Sequence, residues 1–304
     1  MKLLTFRPPR ARGGHFGAFL STGQVLDLTS TPNITTLPRT LLACVQGGPR
    51  ALQAVAAAVA EAEDRVRSGR STPGLYPLDA IKFLPPLRPG KVMAVGRNYG
   101  EHVAEAGGHA SPRPSGFIKL VNCLIGRGDP ILRPPWTNTL DYENELAFVI
   151  GQDCLDVPEA RAYDYIFGYT IMNDVSAREV QREETANGNI IMGKNFPTSA
   201  PLGPWVVTKD EVRDPHNLRL VTRVNGEVRQ NANTGDMIHK IPAQVAWYSH
   251  AGLQAGDIIS TGTPSGVALG YKGPGSWWLQ AGDVLECEIE RIGVLSNPVR
   301  DRRL

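Results

Sequence analysis

The chain has no C-x-x-C pair; its four cysteines, Cys44, Cys123, Cys154 and Cys287, stand far apart. That spacing argues against a zinc site and a disulfide framework, and it fits a reducing cytoplasm. Neither sign of charge is in excess. A net charge of +2 gives no electrostatic case for binding nucleic acid or a membrane surface. Long apolar runs are missing too, since none approaches the roughly 20 residues that a membrane span requires. The mildly apolar residues 1–6 meet Arg7-Pro8-Pro9-Arg10 before a signal-peptide core could form, so no such peptide is expected. Internal repeats and low-complexity tracts are also lacking. With 41% hydrophobic and 20% charged residues, the composition is that of an ordinary globular protein and not of a disordered one. The 304 residues allow one large domain or two unequal ones.

Residues 1–40 alternate short apolar runs with glycine and proline and read as a small meander. The alanine-rich stretch 51–67 has strong helix propensity. Prolines then cluster at Pro73, Pro77, Pro85, Pro86 and Pro89, which places a boundary near residue 85. Two units are expected: a small N-terminal α/β domain over 1–85 and a larger domain over 86–304. Short strands are expected in the larger one at 91–95, 116–120, 145–150, 167–172, 202–207, 218–224, 257–260 and 284–289. Helices are fewer, at 176–186 and 242–252. Strands without regular strand–helix alternation imply a β-rich α+β fold, not a doubly wound sheet.

Three carboxylates stand out. Glu143 and Glu145 lie one residue apart in Asp141-Tyr142-Glu143-Asn144-Glu145-Leu146-Ala147-Phe148-Val149-Ile150, whose apolar second half reads as a strand. Side chains at i and i+2 of a strand share a face, about 7 Å apart by the strand rise. Asp174 ends the apolar run 166–172, and Ser176 with Glu179 has capping-box spacing, so a helix is expected to start there. Such a cluster suits a hard divalent cation such as Mg²⁺, Mn²⁺ or Ca²⁺. Spacing alone equally allows a helix-capping aspartate beside two surface glutamates.

His102 and Glu105 share one face of a helical turn, as i and i+3. A carboxylate beside an imidazole orients the ring and stabilises its protonated form, as a general base requires. A surface His–Glu pair is the plainer alternative. Gly96, Gly100, Gly107 and Gly108 flank this turn and suit a segment that moves. The run from Gly188 to Asn195 nearly matches a phosphate-cradling loop. Asn195 replaces the metal-binding hydroxyl, and Phe196-Pro197 opposes the helix that should follow, so nucleotide binding is rejected. Lys194 is either a pocket cation or a solvated loop lysine. Residues 261–266, Thr-Gly-Thr-Pro-Ser-Gly, could present hydroxyls and amides to an anion, or form a plain turn.

Taken in order, these segments resemble the fumarylacetoacetate hydrolase family, specifically its compact bacterial and FAHD-like members, over about residues 90–300. Val95-Gly96-Arg97-Asn98-Tyr99 leads to His102-x-x-Glu105, then to 141–151 and Asn173-Asp174-Val175-Ser176-Ala177-Arg178. Gly193-Lys194-Asn195-Phe196, Val224-Asn225-Gly226-Glu227 and Thr261-Gly262-Thr263-Pro264 follow. Two positions depart: Glu179 stands where the motif has Asp, and Leu120 follows Lys119 where proline is common. The resemblance implies that Glu143, Glu145 and Asp174 bind Mg²⁺ or Mn²⁺. It makes His102 and Glu105 a general-base dyad on a lid, Lys194 an active-site cation, and Gln181 and Thr263 contacts to substrate oxygens. It implies an FAH-type mixed β-roll catalytic domain and a homodimer.

The expected activity is metal-dependent cleavage of a carbon–carbon bond in an acylpyruvate-like diketo acid, through a metal-stabilised enolate. On the same site, oxaloacetate decarboxylation, isomerisation or decarboxylation of hydroxymuconate-type diacids, and ureidoglycolate-type lyase chemistry are alternatives. A non-catalytic small-molecule binder is the alternative of a different class.

Overall fold

The computed structural model describes residues 1–30, 37–105 and 107–303. Its centre is the strand Asn144–Ile150, whose seven residues are all buried. Alternate side chains along it enter two different cores. Leu146, Phe148 and Ile150 belong to one, Ala147 and Val149 to the other. A strand covered on both faces reads as a continuous apolar run, which is why this one was visible in the sequence.

The strand lies inside a large mixed sheet. On one side come Ile166–Asn173, Ala200–Thr208, Lys2–Arg7, His15–Phe19, Gln24–Asp27 and Leu75–Pro77; on the other, Ile258–Ser260, Val92–Gly96 and Ser115–Lys119. Neighbours along this order are antiparallel except Ile258–Ser260 with Val92–Gly96, which run parallel. The N-terminal meander therefore continues the central sheet, with Lys2 opposite Val207. One face of the sheet carries the helices Leu41–Gln46 and Gly48–Arg67, whose Leu41, Val45, Val55 and Ala58 join the second core. The other face meets a five-stranded sheet of Glu227–Asn233, Arg219–Val224, Val284–Ile289, Gly293–Asp301 and Ile131–Arg133. Leu220, Leu285, Ile289 and Leu295 from that sheet enter the first core. The result is the expected strand-rich α+β fold.

Two local expectations need adjusting. The alanine-rich helix starts three residues earlier, at Gly48, with a proline in its first turn where the missing N–H costs nothing. The capping box at Ser176 does not form. The helix runs over Arg178–Ala186 behind Ala177, with no side-chain cap. Ser176 instead pairs with Asp141 in a short two-stranded ladder, and its hydroxyl donates to the Asp174 carbonyl. Glu179 accepts from the backbone of Asn138. A carbonyl two residues back claimed the serine hydroxyl, and a distant amide claimed the glutamate.

Candidate active site

Pairing register gathers the carboxylates. Glu145 faces Met172 across the ladder, and Asp174 lies two residues beyond Met172, so both point to one face of the sheet. Glu143 precedes the strand, and its carbonyl accepts from the Asp174 amide at 2.9 Å. The outcome is three buried carboxylates, each offering an oxygen within 4.8 Å of the others.

Three cations surround them. Lys194 Nζ lies 2.7 Å from Glu143 Oε2 and 2.7 Å from Asp174 Oδ2. Arg178 Nη2 is 2.6 Å from Glu143 Oε1, and Lys119 Nζ is 2.9 Å from Asp174 Oδ1. Among the described residues Glu145 has no cation at that range. It accepts instead from Ser260 Oγ at 2.5 Å and from the Gly262 amide at 2.9 Å. The anion met by the Thr-Gly-Thr-Pro loop is thus a carboxylate of the protein itself.

These surroundings drive the two glutamates apart. Burial would raise the Glu143 carboxyl, but Lys194 and Arg178 overcome it and hold the group below the usual carboxylate range. Burial, with Asp174 and Glu143 adding like charge, pushes Glu145 well above that range. Lys194 is raised: burial opposes its charge, but Asp174 and Glu143 stabilise it more strongly.

A fourth buried acid organises the wall. Asp141 accepts from Arg178 Nε at 2.7 Å and from the amides of Tyr142, Ala268 and Leu269. Arg178 Nη1 donates to Gln181 Oε1 at 2.9 Å, which leaves the Gln181 amide N–H groups for a ligand. Thr263 is less free, since its hydroxyl donates to the Asn144 carbonyl and accepts from Gln230 Nε2.

His102 stands on the helix Gly100–Glu105, only 7% exposed. Its Nδ1 is 3.6 Å from Glu105 Oε2, an ion-pair range rather than a hydrogen bond. Glu105 is fixed in turn by the Gly266 amide at 3.0 Å, and Glu101 accepts from Ser265 Oγ at 2.7 Å. The helix is thereby tied to the loop that follows Thr263.

All eight residues singled out in the sequence, His102, Glu105, Glu143, Glu145, Asp174, Gln181, Lys194 and Thr263, line one cleft of about 770 Å³. Sequence reasoning gave no role to Lys119, Asp141, Arg178, or to the cleft-lining cations Arg97, Arg182 and Lys272. Asp141 did carry a signal, because it shares the two-residue period of Glu143 and Glu145. Lys119 entered only as the residue before a departure from the family motif, with no role attached.

The donor set fits a divalent ion. It is all oxygen, buried and convergent, and with Glu145 ionised the surrounding cluster of Asp141, the three carboxylates and three cations carries one negative charge. Comparison with known proteins places the chain. The family model "Fumarylacetoacetate (FAA) hydrolase C-terminal" matches residues 91–300.

The chain belongs to the fumarylacetoacetate hydrolase family.

Among its relatives is the mitochondrial oxaloacetate tautomerase FAHD2A of Bos taurus, 38% identical over 302 residues, 98% of this chain and 91% of that protein. The fumarylacetoacetate hydrolase of Exiguobacterium antarcticum superposes with a TM-score of 0.80 at 32% identity, covering 99% of this chain and all of that one. The maleylpyruvate hydrolase of Sphingobium sp. SYK-6, solved with manganese(II) and pyruvate, gives 0.75 at 28% identity with both chains covered in full. Hydrolases and a tautomerase are therefore among its relatives, and the chain is an enzyme of the family. Among the described residues no helix is long and apolar enough to cross a membrane.

Proposed function

We propose that this enzyme moves protons on a 2-oxo acid through an enolate, with Mg²⁺ or Mn²⁺ as cofactor and oxaloacetate keto–enol tautomerisation as its reaction. The observation that carries the reading is the placement of His102 in the same cleft as the three-carboxylate floor. Glu143, Glu145 and Asp174 would hold the ion. When bound, the metal polarises the 2-oxo group and stabilises the negative charge of the enolate.

The chain's own residues supply the rest. Lys194 and Arg178 keep Glu143 ionised, and a site of one negative charge becomes net positive once a divalent ion is bound. That polarity suits a carboxylate ligand. Gln181 offers its N–H groups to a substrate oxygen. His102, beside Glu105, takes the proton from the carbon next to the 2-oxo group, and the imidazolium so formed gives that proton to the enolate oxygen, so that none is gained or lost overall. Arg97, Arg182 and Lys272 line the cleft without an ion-pair partner among the described residues, which supports a substrate with a second anionic group. The relatives named oxaloacetate tautomerase, matched across nearly the whole chain, favour this reaction over the hydrolysis expected from sequence. The four cysteines are free thiols, which supports a reducing compartment.

Hydrolysis of an acylpyruvate is the second reading, and the maleylpyruvate hydrolase structure favours it. There His102 would take its proton from water, which attacks the distal carbonyl while the enolate leaves. Two measurements decide. Enol and keto forms of oxaloacetate differ in ultraviolet absorbance, and their interconversion should accelerate only with enzyme and metal together. Labelled solvent oxygen in an acid product from an acylpyruvate would instead establish hydrolysis.

A further inference from the structure

Lys119 is fully buried, which is costly for an ammonium unless every donor is met. It ends the strand Ser115–Lys119, two residues beyond Phe117 and on the same face. Phe117 lines the cleft but Lys119 does not, so it stands behind the site. Its Nζ meets Asp174 Oδ1 at 2.9 Å, the Ser199 carbonyl at 3.0 Å, Ser199 Oγ at 3.2 Å, and the carbonyl of Lys194. The flanking backbone is fixed as well. Asn195 accepts from the Leu120 amide at 2.6 Å and donates to the Ile118 carbonyl at 3.0 Å.

One ammonium thus joins the edge strand, the loop from Lys194 to Ser199, and one carboxylate of the metal-binding floor. We propose that Lys119 is a positioning residue: it fixes the Asp174 carboxylate and the backbone of Lys194 so that the three carboxylates converge on one ion. The proposal rests on the metal-site reading. Hydrophobic packing would hold this strand end at lower cost, and the charge is explained by what it touches. Asp174 has an ammonium on each oxygen, Lys194 from the cleft side and Lys119 from behind, so the carboxylate has little freedom to rotate.

The test is Mn²⁺ binding by titration calorimetry on three single variants. Lys119→Met should weaken Mn²⁺ affinity about 10- to 100-fold, as loss of a group that orients a metal ligand does. Ser199→Ala removes one acceptor without touching a carboxylate, and should weaken affinity less, in the same direction, with the fold retained. Lys91→Met breaks the Lys91–Asp257 pair, 2.6 Å long and outside the cleft, and calibrates the effect of losing an ion pair. It should lower the melting temperature while binding Mn²⁺ as the wild type does. Wild-type affinity in the two site variants overturns the role of Lys119. Failure of the wild type to bind Mn²⁺ overturns the metal reading and the inference together. If Lys119→Met does not fold, Ser199→Ala decides.

Discussion

Glu143 and Glu145 stand one residue apart and face the same cleft, yet their environments assign them opposite protonation behaviour. Glu143 has two cations and stays ionised; Glu145 has a hydroxyl, an amide and two anionic neighbours, and holds its proton to unusually high pH. Metal coordination needs both as carboxylates, so ion binding must expel a proton from Glu145. Apparent Mn²⁺ affinity should therefore rise with pH until Glu145 ionises in the metal-free protein. Calorimetry in buffers of different protonation enthalpy measures the released proton; a buffer-independent heat would contradict this. Glu145→Gln should weaken Mn²⁺ binding at least about tenfold, since losing a group that only orients a metal ligand already costs that much. His102→Ala should lower kcat about 10²- to 10⁴-fold, the range of general-base catalysis, and leave Mn²⁺ affinity unchanged. An unaltered kcat would remove His102 from the chemistry. The carboxylates were legible because charge at the end of an apolar strand is rare; the strand begins only at Asn144, so Glu143 is brought in by its backbone contact with Asp174 and not by the strand period. Lys119 was not, because one lysine after Phe117-Ile118 looks like any solvated strand end.

At the scale of elements, the cleft depends on close backbone approaches that only small residues permit. A Cβ on Gly116 would lie 1.9 Å from the Ala94 carbonyl oxygen on the neighbouring strand. Gly116→Ala should destabilise the fold by about 1–3 kcal/mol, the usual cost of overpacking, and raise KM by shifting Phe117. Chemical denaturation and steady-state kinetics check the two effects. Gly262 combines φ of +90° with a Cβ position 3.0 Å from the Val95 carbonyl oxygen, so its amide reaches Glu145 from a conformation suited to glycine. The eight strands expected beyond residue 86 were legible to within about two residues at each end, whereas Glu227–Asn233 and Gly293–Asp301 were not, because their exposed positions break the apolar run. The capping box at Ser176 misled because a local signal was overridden by the ladder with Asp141. Pairing of Lys2 with Val207 was beyond reach, because nothing local encodes a partner two hundred positions away.

For the whole molecule, the buried cluster links stability to metal. With Glu145 ionised, four acids and three cations enclosed together leave one uncompensated negative charge, which a divalent ion relieves; without the ion Glu145 keeps its proton instead. Mn²⁺ at about 100 times its dissociation constant should add about 2.7 kcal/mol to stability and raise the melting temperature by several degrees. Chelation should reverse the shift, and a melting temperature indifferent to both would contradict a resident metal. The most direct test of the proposed function joins this site to its chemistry. Oxaloacetate interconversion is followed by ultraviolet absorbance in the metal-free protein, after Mn²⁺ addition, and after chelation. The expected result is acceleration that appears with Mn²⁺, disappears with chelator, and is lost in Glu143→Gln and His102→Ala. Interconversion at the uncatalysed rate in the Mn²⁺-loaded wild type would contradict it.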